Sequence, residues 1–165
     1  MNGAPPQAGQ EKIEQGTTAG EQKITNPTLG FVTNYFFPYT IGNDSLLYLK
    51  SSYRKRPAFV IKDNSGEHVL RRKDISLDEQ YSYRNGKIVY SAYKPDARWG
   101  WRNYGEIRLL DVQSGDQQTI THKTKYFAPD ISHDGTKIVA VSYETNGQCE
   151  LHILNAASGD VLQKI

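Results

Sequence analysis

Hydrophobic residues from Phe31 to the end of the chain occur in short runs, and none of these runs has the spacing of an amphipathic helix. Most of the runs contain β-branched or aromatic residues, and Gly, Asn, Asp, Ser or Pro residues separate them, which is typical of strands joined by turns. They lie at residues 45–49, 57–61, 87–90, 107–110, 137–141 and 151–154. This pattern predicts an all-β fold.

The runs belong to a repeated unit. A Ser-Gly dipeptide follows the third strand of each unit, at residues 65–66, 114–115 and 158–159. In the second and third units an Asn85-Gly86 or Asp134-Gly135 pair precedes an earlier strand, as in a tight hairpin. Four antiparallel strands in about 40 to 50 residues have the size of one propeller blade. The repeats therefore predict about three four-stranded antiparallel blades, at approximately 31–73, 74–122 and 123–165, of which the last is truncated.

The sequence of residues 126–139, YFAPDISHDGTKIV, resembles the P-x-x-S-P-D-G-K-x-I core of TolB-type β-propellers, the WD40-like (PD40) repeats of bacterial envelope proteins. His133 stands in place of the usual proline, and the second blade departs further from the pattern at residues 77–79 and 85–86. Residues 96–107 resemble an insertion in the propellers of certain large bacterial surface proteins, in which a gluzincin-type metallopeptidase domain precedes the propeller.

The resemblance implies a partial, fragmentary TolB-like β-propeller, because three blades are fewer than the 4 to 8 that usually close a ring. It also implies a periplasmic or cell-surface location. The partners that it implies include the remaining blades of a parent protein.

Residues 1–28 differ from the rest of the chain because they contain four Gly, three Pro, four Gln and no aromatic residue. Such a segment buries too little apolar surface to offset the entropy of ordering it. We therefore predict a disordered leader or linker at 1–28 and the partial β-propeller at 29–165. No apolar stretch is long enough to span a bilayer, and the sequence begins without the features of a secretory signal peptide, so we expect no membrane insertion.

Motifs for catalysis or for a bound cofactor are absent from the sequence. Its four histidines form no His-Glu-x-x-His pair, and no phosphate-binding, dinucleotide-binding or hydrolase-elbow glycine motif occurs. The single cysteine, Cys149, excludes an intramolecular disulfide, and we expect it to be a structural thiol. We therefore expect no enzyme activity in this chain, no metal and no cofactor.

Both tryptophans of the chain lie in one Gly- and Arg-containing segment. Trp, Tyr and Arg are the residue types enriched in binding hot spots, and the candidate partner-binding residues are accordingly Arg98, Trp99, Trp101, Arg102 and Tyr104. The alternative is that the indoles fill the groove between two blades, with arginines stacked on them. We expect a split, with one indole packed under the loop and the other exposed. The basic clusters at 54–56 and 71–73 are predicted to form a solvated rim, since the net charge is only +2.

Three functions remain open at this point. The first is a non-catalytic interaction module of the bacterial cell envelope that binds protein, peptide or glycan. The alternative is an accessory propeller that orients substrate for an envelope metallopeptidase whose catalytic domain is not in this chain. The third, a nucleic-acid binder that uses the basic clusters, ranks last because the charge is nearly balanced.

Overall fold

The computed structural model describes residues 32–143 and 146–165, and these residues form twelve β-strands and no helix. The predicted leader at 1–28 lies outside the described residues. The strands assort into three separate four-stranded sheets, each an antiparallel meander in chain order. The prediction of an all-β, partial propeller is confirmed.

The three sheets follow one another along the chain. The first contains β1 (Thr33–Ile41), β2 (Ser45–Ser52), β3 (Lys55–Asp63) and β4 (Gly66–Arg72). The second contains β5 (Ser82–Arg84), β6 (Lys87–Pro95), β7 (Asn103–Asp111) and β8 (Gln117–Thr119). The third contains β9 (Tyr126–Ile131), β10 (Lys137–Tyr143), β11 (Cys149–Asn155) and β12 (Val161–Lys164). Each sheet lies within one of the ranges predicted for the blades. The third sheet has a fourth strand, β12, and the truncation of the last blade stays a prediction.

The antiparallel order gives the sheets two different ends. The turn end carries the connections 42–44, 64–65, 85–86, 112–116, 132–136 and 156–160, and the loop end carries 53–54, 73–81, 96–102, 120–125 and 146–148. At the turn end, Asn85 and Gly86 have φ of 49° and 71°, as the sequence pair predicts for a two-residue hairpin turn. The loop end has the longer and less regular connections.

The first sheet packs on the second through a fully buried apolar layer. Leu47, Leu49 and Phe59 point from the first sheet toward the second and have no exposed surface. The ring of Phe59 lies 5.1 Å from that of Tyr81 and 5.4 Å from that of Tyr90, in edge-on and tilted orientations that aromatic pairs prefer. Burial of this layer is the main favourable term that holds the two blades together.

The second sheet packs on the third in the same way. Val89 and Ile107 of the second sheet contact a layer of the third sheet that includes Ile138 and Leu154, and all four are fully buried. The paired positions are equivalent in the two interfaces, since Leu49 pairs with Phe59 across β2 and β3, and Ser91 with Ile107 across β6 and β7. The same inter-blade contact is therefore built twice.

The corresponding face of the third sheet is not covered by another sheet of the described residues. Its equivalent cross-strand pairs are Val139 with Ile153 and Val141 with Leu151. Val139 is 36% exposed and Leu151 is 43% exposed, whereas Val89 and Ile107 at the matching positions of the second sheet are buried. This side of the third blade is an apolar inter-blade surface that still faces outward.

Gly105 allows the loop end of the second blade to come close to the third blade. Its N–H donates to Thr124 O at 2.8 Å, and a Cβ at this position would fall well inside van der Waals contact with Tyr126 O. The hydroxyl of Ser91 also donates to Tyr126 O, at 2.8 Å. Residues 124–126 are thereby fixed against β6 and β7.

One basic cluster differs from its prediction. Arg71 and Arg72 are exposed, as expected of a solvated rim, but Lys73 is only 2% exposed. Its ammonium donates to Asp78 O at 2.8 Å and to the hydroxyl of Ser76. The long connection 73–81 folds back over this side chain, which the sequence pattern did not indicate, and burial lowers the pKa of Lys73.

We predict that Gly105→Ala destabilises the protein by about 1–3 kcal/mol, because the new methyl group overpacks against a backbone carbonyl that cannot rotate away. Gly100→Ala is the matched control, since a Cβ at that position meets nothing within 4 Å. The measurement is the free energy of unfolding from urea titration of both variants. Equal midpoints for the two variants would contradict the close approach at Gly105.

Candidate functional site

The loop 96–102 joins β6 to β7 and is folded around the carboxylate of Asp96. Asp96 Oδ1 accepts the N–H of Arg98 at 2.8 Å and of Trp99 at 3.0 Å. The backbone closes the loop, since Asp96 N–H donates to Arg102 O at 2.9 Å and Arg102 N–H donates to Trp99 O at 2.8 Å. These bonds to its charged form lower the pKa of Asp96, with the backbone N–H of Arg98 as the largest cause.

Tyr104 connects this loop to the sheet. It is buried at the start of β7, and its hydroxyl donates to Asp96 Oδ2 at 2.9 Å. This hydrogen bond raises the pKa of Tyr104. The guanidinium of Arg102 lies 5.7 Å from the Tyr104 ring, within cation–π distance. The exposed Arg102 side chain therefore lies beside a buried aromatic ring.

Both indoles are exposed, so the expected split between one packed and one exposed ring is wrong. Trp99 is 47% exposed and Trp101 is 80% exposed, with ring centroids 6.3 Å apart. Arg98 lies over the Trp99 ring at 5.2 Å. The hydrogen bonds to Asp96 form a turn, here called the Asp96 turn, that closes the loop beyond the ends of β6 and β7. The layer between the blades contains other residues, including Tyr126 and Ile107. The inter-blade space is filled without a tryptophan.

An open groove of about 570 Å³ lies at the loop end, between the second and third blades. We call it the Trp101 groove, and its lining residues are Trp101, Arg102, Asn103, Tyr104, Lys123, Thr124, Lys125, Tyr126, Ser142, Tyr143 and His152. Three of the five candidate residues, Trp101, Arg102 and Tyr104, line it. Arg98 and Trp99 are not among its lining residues.

A buried histidine forms part of the floor of the Trp101 groove. His152 is 3% exposed, its Nδ1 lies 2.8 Å from the Tyr126 hydroxyl, and its Nε2 lies 3.0 Å from Glu150 Oε2. The ammonium of Lys164 lies 3.6 Å from the same Glu150 oxygen. The hydrogen bond with His152 is the largest cause that lowers the pKa of Glu150. His152 is thus a satisfied strand histidine, and its partners fix the floor of the groove.

Two of the three Lys and Arg side chains that line the groove, Lys123 and Lys125, were not singled out from the sequence. Lys123 and Lys125 lie on the connection 120–125, which is hydrogen-bonded to Gly105 of β7. Lys123 has a φ of 54°. Among the described residues, the lining contains no Asp or Glu. In the described part of the chain, no carboxylate lies within 4 Å of the side-chain nitrogens of Arg102, Lys123 or Lys125.

The carboxylate of Glu106 lies close to this connection but is already engaged. It is buried, and its Oε1 accepts the backbone N–H of Lys123 at 3.2 Å and lies 3.6 Å from the ammonium of Lys94. Its Oε2 accepts Arg108 Nη1–H at 3.2 Å. Burial acts to raise the pKa of Glu106, but the bonds from Lys123 and Arg108 outweigh it, so the pKa is lowered. Glu106 therefore holds the connection without neutralising the lysine side chains.

Two other grooves are less suited to a ligand. A groove of about 530 Å³ at the turn end contains Asp111, whose Oδ1 already accepts the N–H of Gln113 at 2.9 Å and of Ser114 at 2.8 Å. A groove of about 380 Å³ beside the first blade contains the basic cluster 54–56 but neither tryptophan. The described residues include no group of three or more His, Cys, Asp or Glu side chains that could bind a metal ion. Within 32–143 and 146–165, no helix has the length and apolar character needed to cross a membrane.

Solved structures place this architecture among the β-propellers. The putative TolB from Agrobacterium tumefaciens is similar at a TM-score of 0.53 and 16% identity, over 72% of this chain and 41% of that one. The β-propeller domain of the Trilobed protease from Pyrococcus furiosus is similar at a TM-score of 0.54 and 14% identity, over 81% of this chain and 42% of that one. The Pyrococcus horikoshii acylaminoacyl peptidase is similar at a TM-score of 0.53 and 10% identity, over 81% of this chain and 25% of that one.

The likeness to these proteins concerns the fold. At these identities it shows that the chain has part of a β-propeller similar to that of TolB. The chain spans about two fifths of the TolB and Trilobed protease chains that it matches. No protein-family model and no curated protein matches the sequence.

We predict that Trp99→Ala and Trp101→Ala each change the free energy of unfolding by less than about 0.5 kcal/mol, the usual range at exposed sites. Phe59→Ala is the control within the inter-blade layer and should cost about 3–5 kcal/mol. Denaturant midpoints of the three variants measure this. If both tryptophan substitutions lowered the free energy of unfolding by more than about 3 kcal/mol, the loop would have a structural role and the prediction would be contradicted.

Proposed function

We propose that this chain is a non-catalytic interaction module, part of a TolB-like propeller of the bacterial cell envelope, in the periplasm or at the cell surface, that binds a protein, peptide or glycan in the Trp101 groove. The observation that supports it most directly is the pairing of exposed aromatic rings with cations that form no ion pair within 4 Å with a carboxylate of the described residues. Trp101 is exposed at one side of the groove, and Arg102, Lys123 and Lys125 line it. Trp, Tyr and Arg are the residues on which binding energy concentrates.

The floor of the groove supports binding because it is already rigid. Tyr126 and His152 are buried and hydrogen-bonded to each other, and Gly105 fixes residues 124–126 to β7. The Asp96 turn likewise orders the loop that carries Trp101. A site ordered before its ligand arrives loses less entropy on binding.

A second candidate is an accessory propeller that orients substrate for an envelope metallopeptidase whose catalytic domain is not in this chain. What favours it is the similarity to propellers that belong to a protease and to an acylaminoacyl peptidase. The sequence of the gene around this chain discriminates between the two candidates. A His-Glu-x-x-His motif upstream of the propeller supports the second candidate, and its absence from the full gene contradicts it.

The test of the proposed function is a comparison of variants on a peptide library and a glycan array. Ligands that the unchanged protein retains should be lost by Trp101→Ala and Arg102→Ala, with affinities lower by about 30-fold or more, as at binding hot spots. Tyr53→Ala is the matched control, because Tyr53 is 93% exposed at the same end of the first blade and lies outside the groove. Ligands that bind all four proteins equally would contradict the proposal.

The outward face of the third sheet supports a further partner, the remaining blades of a parent protein. Val139 and Leu151 occupy the positions that Val89 and Ile107 use against the next sheet. An apolar inter-blade surface is complementary to a further four-stranded sheet of the same construction.

We expect Leu151→Ala to destabilise this chain by about 1 kcal/mol or less, while Ile107→Ala, at the equivalent covered position, costs about 2–5 kcal/mol. In a longer version that includes a following blade, the two substitutions should cost similar amounts. Unfolding titrations of both variants in both lengths measure the difference. A Leu151→Ala cost that stays small in the longer version would mean that no blade covers this face.

A further inference from the structure

We propose, on the basis of the function above, that the ligand of the Trp101 groove is an acidic peptide segment. Its carboxylates would pair with Arg102, Lys123 and Lys125, and an apolar or aromatic side chain beside them would pack on Trp101. The charged groups of the lining support this class of ligand. They are all hydrogen-bond donors without acceptor capacity, since Lys and Arg offer N–H groups alone.

Carboxylates of the described residues balance only part of the positive charge of the groove. Asp96 interacts electrostatically with Arg102, but the two side chains form no ion pair within 4 Å. The nearest buried carboxylate, Glu106, is shared by Lys94, Arg108 and the Lys123 backbone N–H. The carboxylate of Glu150 is likewise shared by His152 and Lys164. Three cations around a partly enclosed groove attract an acceptor-only group more strongly than three cations spread on an open surface.

The guanidinium of Arg102 favours a carboxylate in particular. It lies 5.7 Å from the buried Tyr104 ring, and a planar guanidinium pairs with a carboxylate through two parallel hydrogen bonds. Lys123 and Lys125 act as additional point charges and place no demand on the angle of approach.

A neutral glycan fits the lining less well. Sugar hydroxyls donate as well as accept, and among the lining side chains the acceptors are amide, hydroxyl and imidazole groups, without a carboxylate. A nucleic acid needs phosphate contacts along an extended strip, whereas on this end Asp96 and Asp74 interrupt the basic residues. Two exposed rings, Trp101 and Tyr143, give a peptide the aromatic contacts on which its side chains can pack.

The test uses fluorescein-labelled hexapeptides in which Glu alternates with Phe, with a matched peptide in which Gln replaces Glu. Fluorescence anisotropy with the whole chain should give an affinity at least about tenfold higher for the Glu peptide. Arg102→Gln, Lys123→Gln and Lys125→Gln should each weaken its binding by about tenfold, the scale of a hydrogen bond to a charged group. The binding should also weaken between 50 and 300 mM salt, since salt screens these charges.

Lys55→Gln is the matched control, because Lys55 is an exposed cation at the same end but lines a different groove. It should leave the affinity for the Glu peptide unchanged. An equal loss for Lys55→Gln and Lys125→Gln would mean that general charge attracts the peptide, and equal binding of the Gln peptide would mean that carboxylates are not recognised. Either result overturns the inference.

Two further probes, an alginate oligomer and a thymidine oligonucleotide, separate this inference from the proposed function. Tighter binding of either one through Arg102 and Lys125 overturns the acidic peptide. If a neutral ligand binds and only Trp101→Ala removes it, the inference fails and the proposed function stands. If no groove variant changes the binding of any probe, both fail.

Discussion

The contact between consecutive sheets is the interaction on which the rest of this structure depends. Each sheet is only four strands wide, so it cannot bury both of its faces by itself. Phe59 and Tyr90 at one interface, and Ile107 and Ile138 at the next, are removed from water only because another sheet lies opposite. Polar groups on the same faces must then find partners within the protein. Among the described residues no buried side-chain nitrogen or oxygen lacks one.

The same constraint locates the candidate site. Strand β7 and the connection to the third blade approach each other so closely that only a glycine fits at position 105. That approach places Lys123 and Lys125 opposite Arg102, although about twenty residues separate them in the chain. The groove is therefore a product of blade packing, and its shape depends on Gly105 and the residues that pack around it.

Much of the fold follows from local patterns. The runs of apolar residues correspond to the central strands, and the Asn85-Gly86 pair adopts the positive φ angles that its hairpin turn needs. The composition of 98–104 identified candidate partner-binding residues but left open whether the indoles pack between the blades, and of those candidates Trp101, Arg102 and Tyr104 line a groove. Lys123, Lys125 and Tyr143 had no such local signal, because only the docking of two blades brings them to Arg102. Burial of Lys73 was missed for the same reason, since it depends on how the connection 73–81 folds back.

The polar residues at the two ends of the sheets have different roles in the structure. At the turn end, Asp111, Asp134 and Asn155 accept backbone N–H groups of their own turns. The exposed carboxylate of Asp134 is held by Ser132 and Thr136, which lower its pKa to about 2. These side chains are explained by the turns that they stabilise. At the loop end, the indole of Trp101 stabilises no comparable turn, and exposure of its apolar surface to water is unfavourable. Exposure of the cations of Arg102, Lys123 and Lys125 has no such cost, because charged side chains are well hydrated. The exposed indole is therefore the feature of this end that neither the turns nor the packing between blades explains.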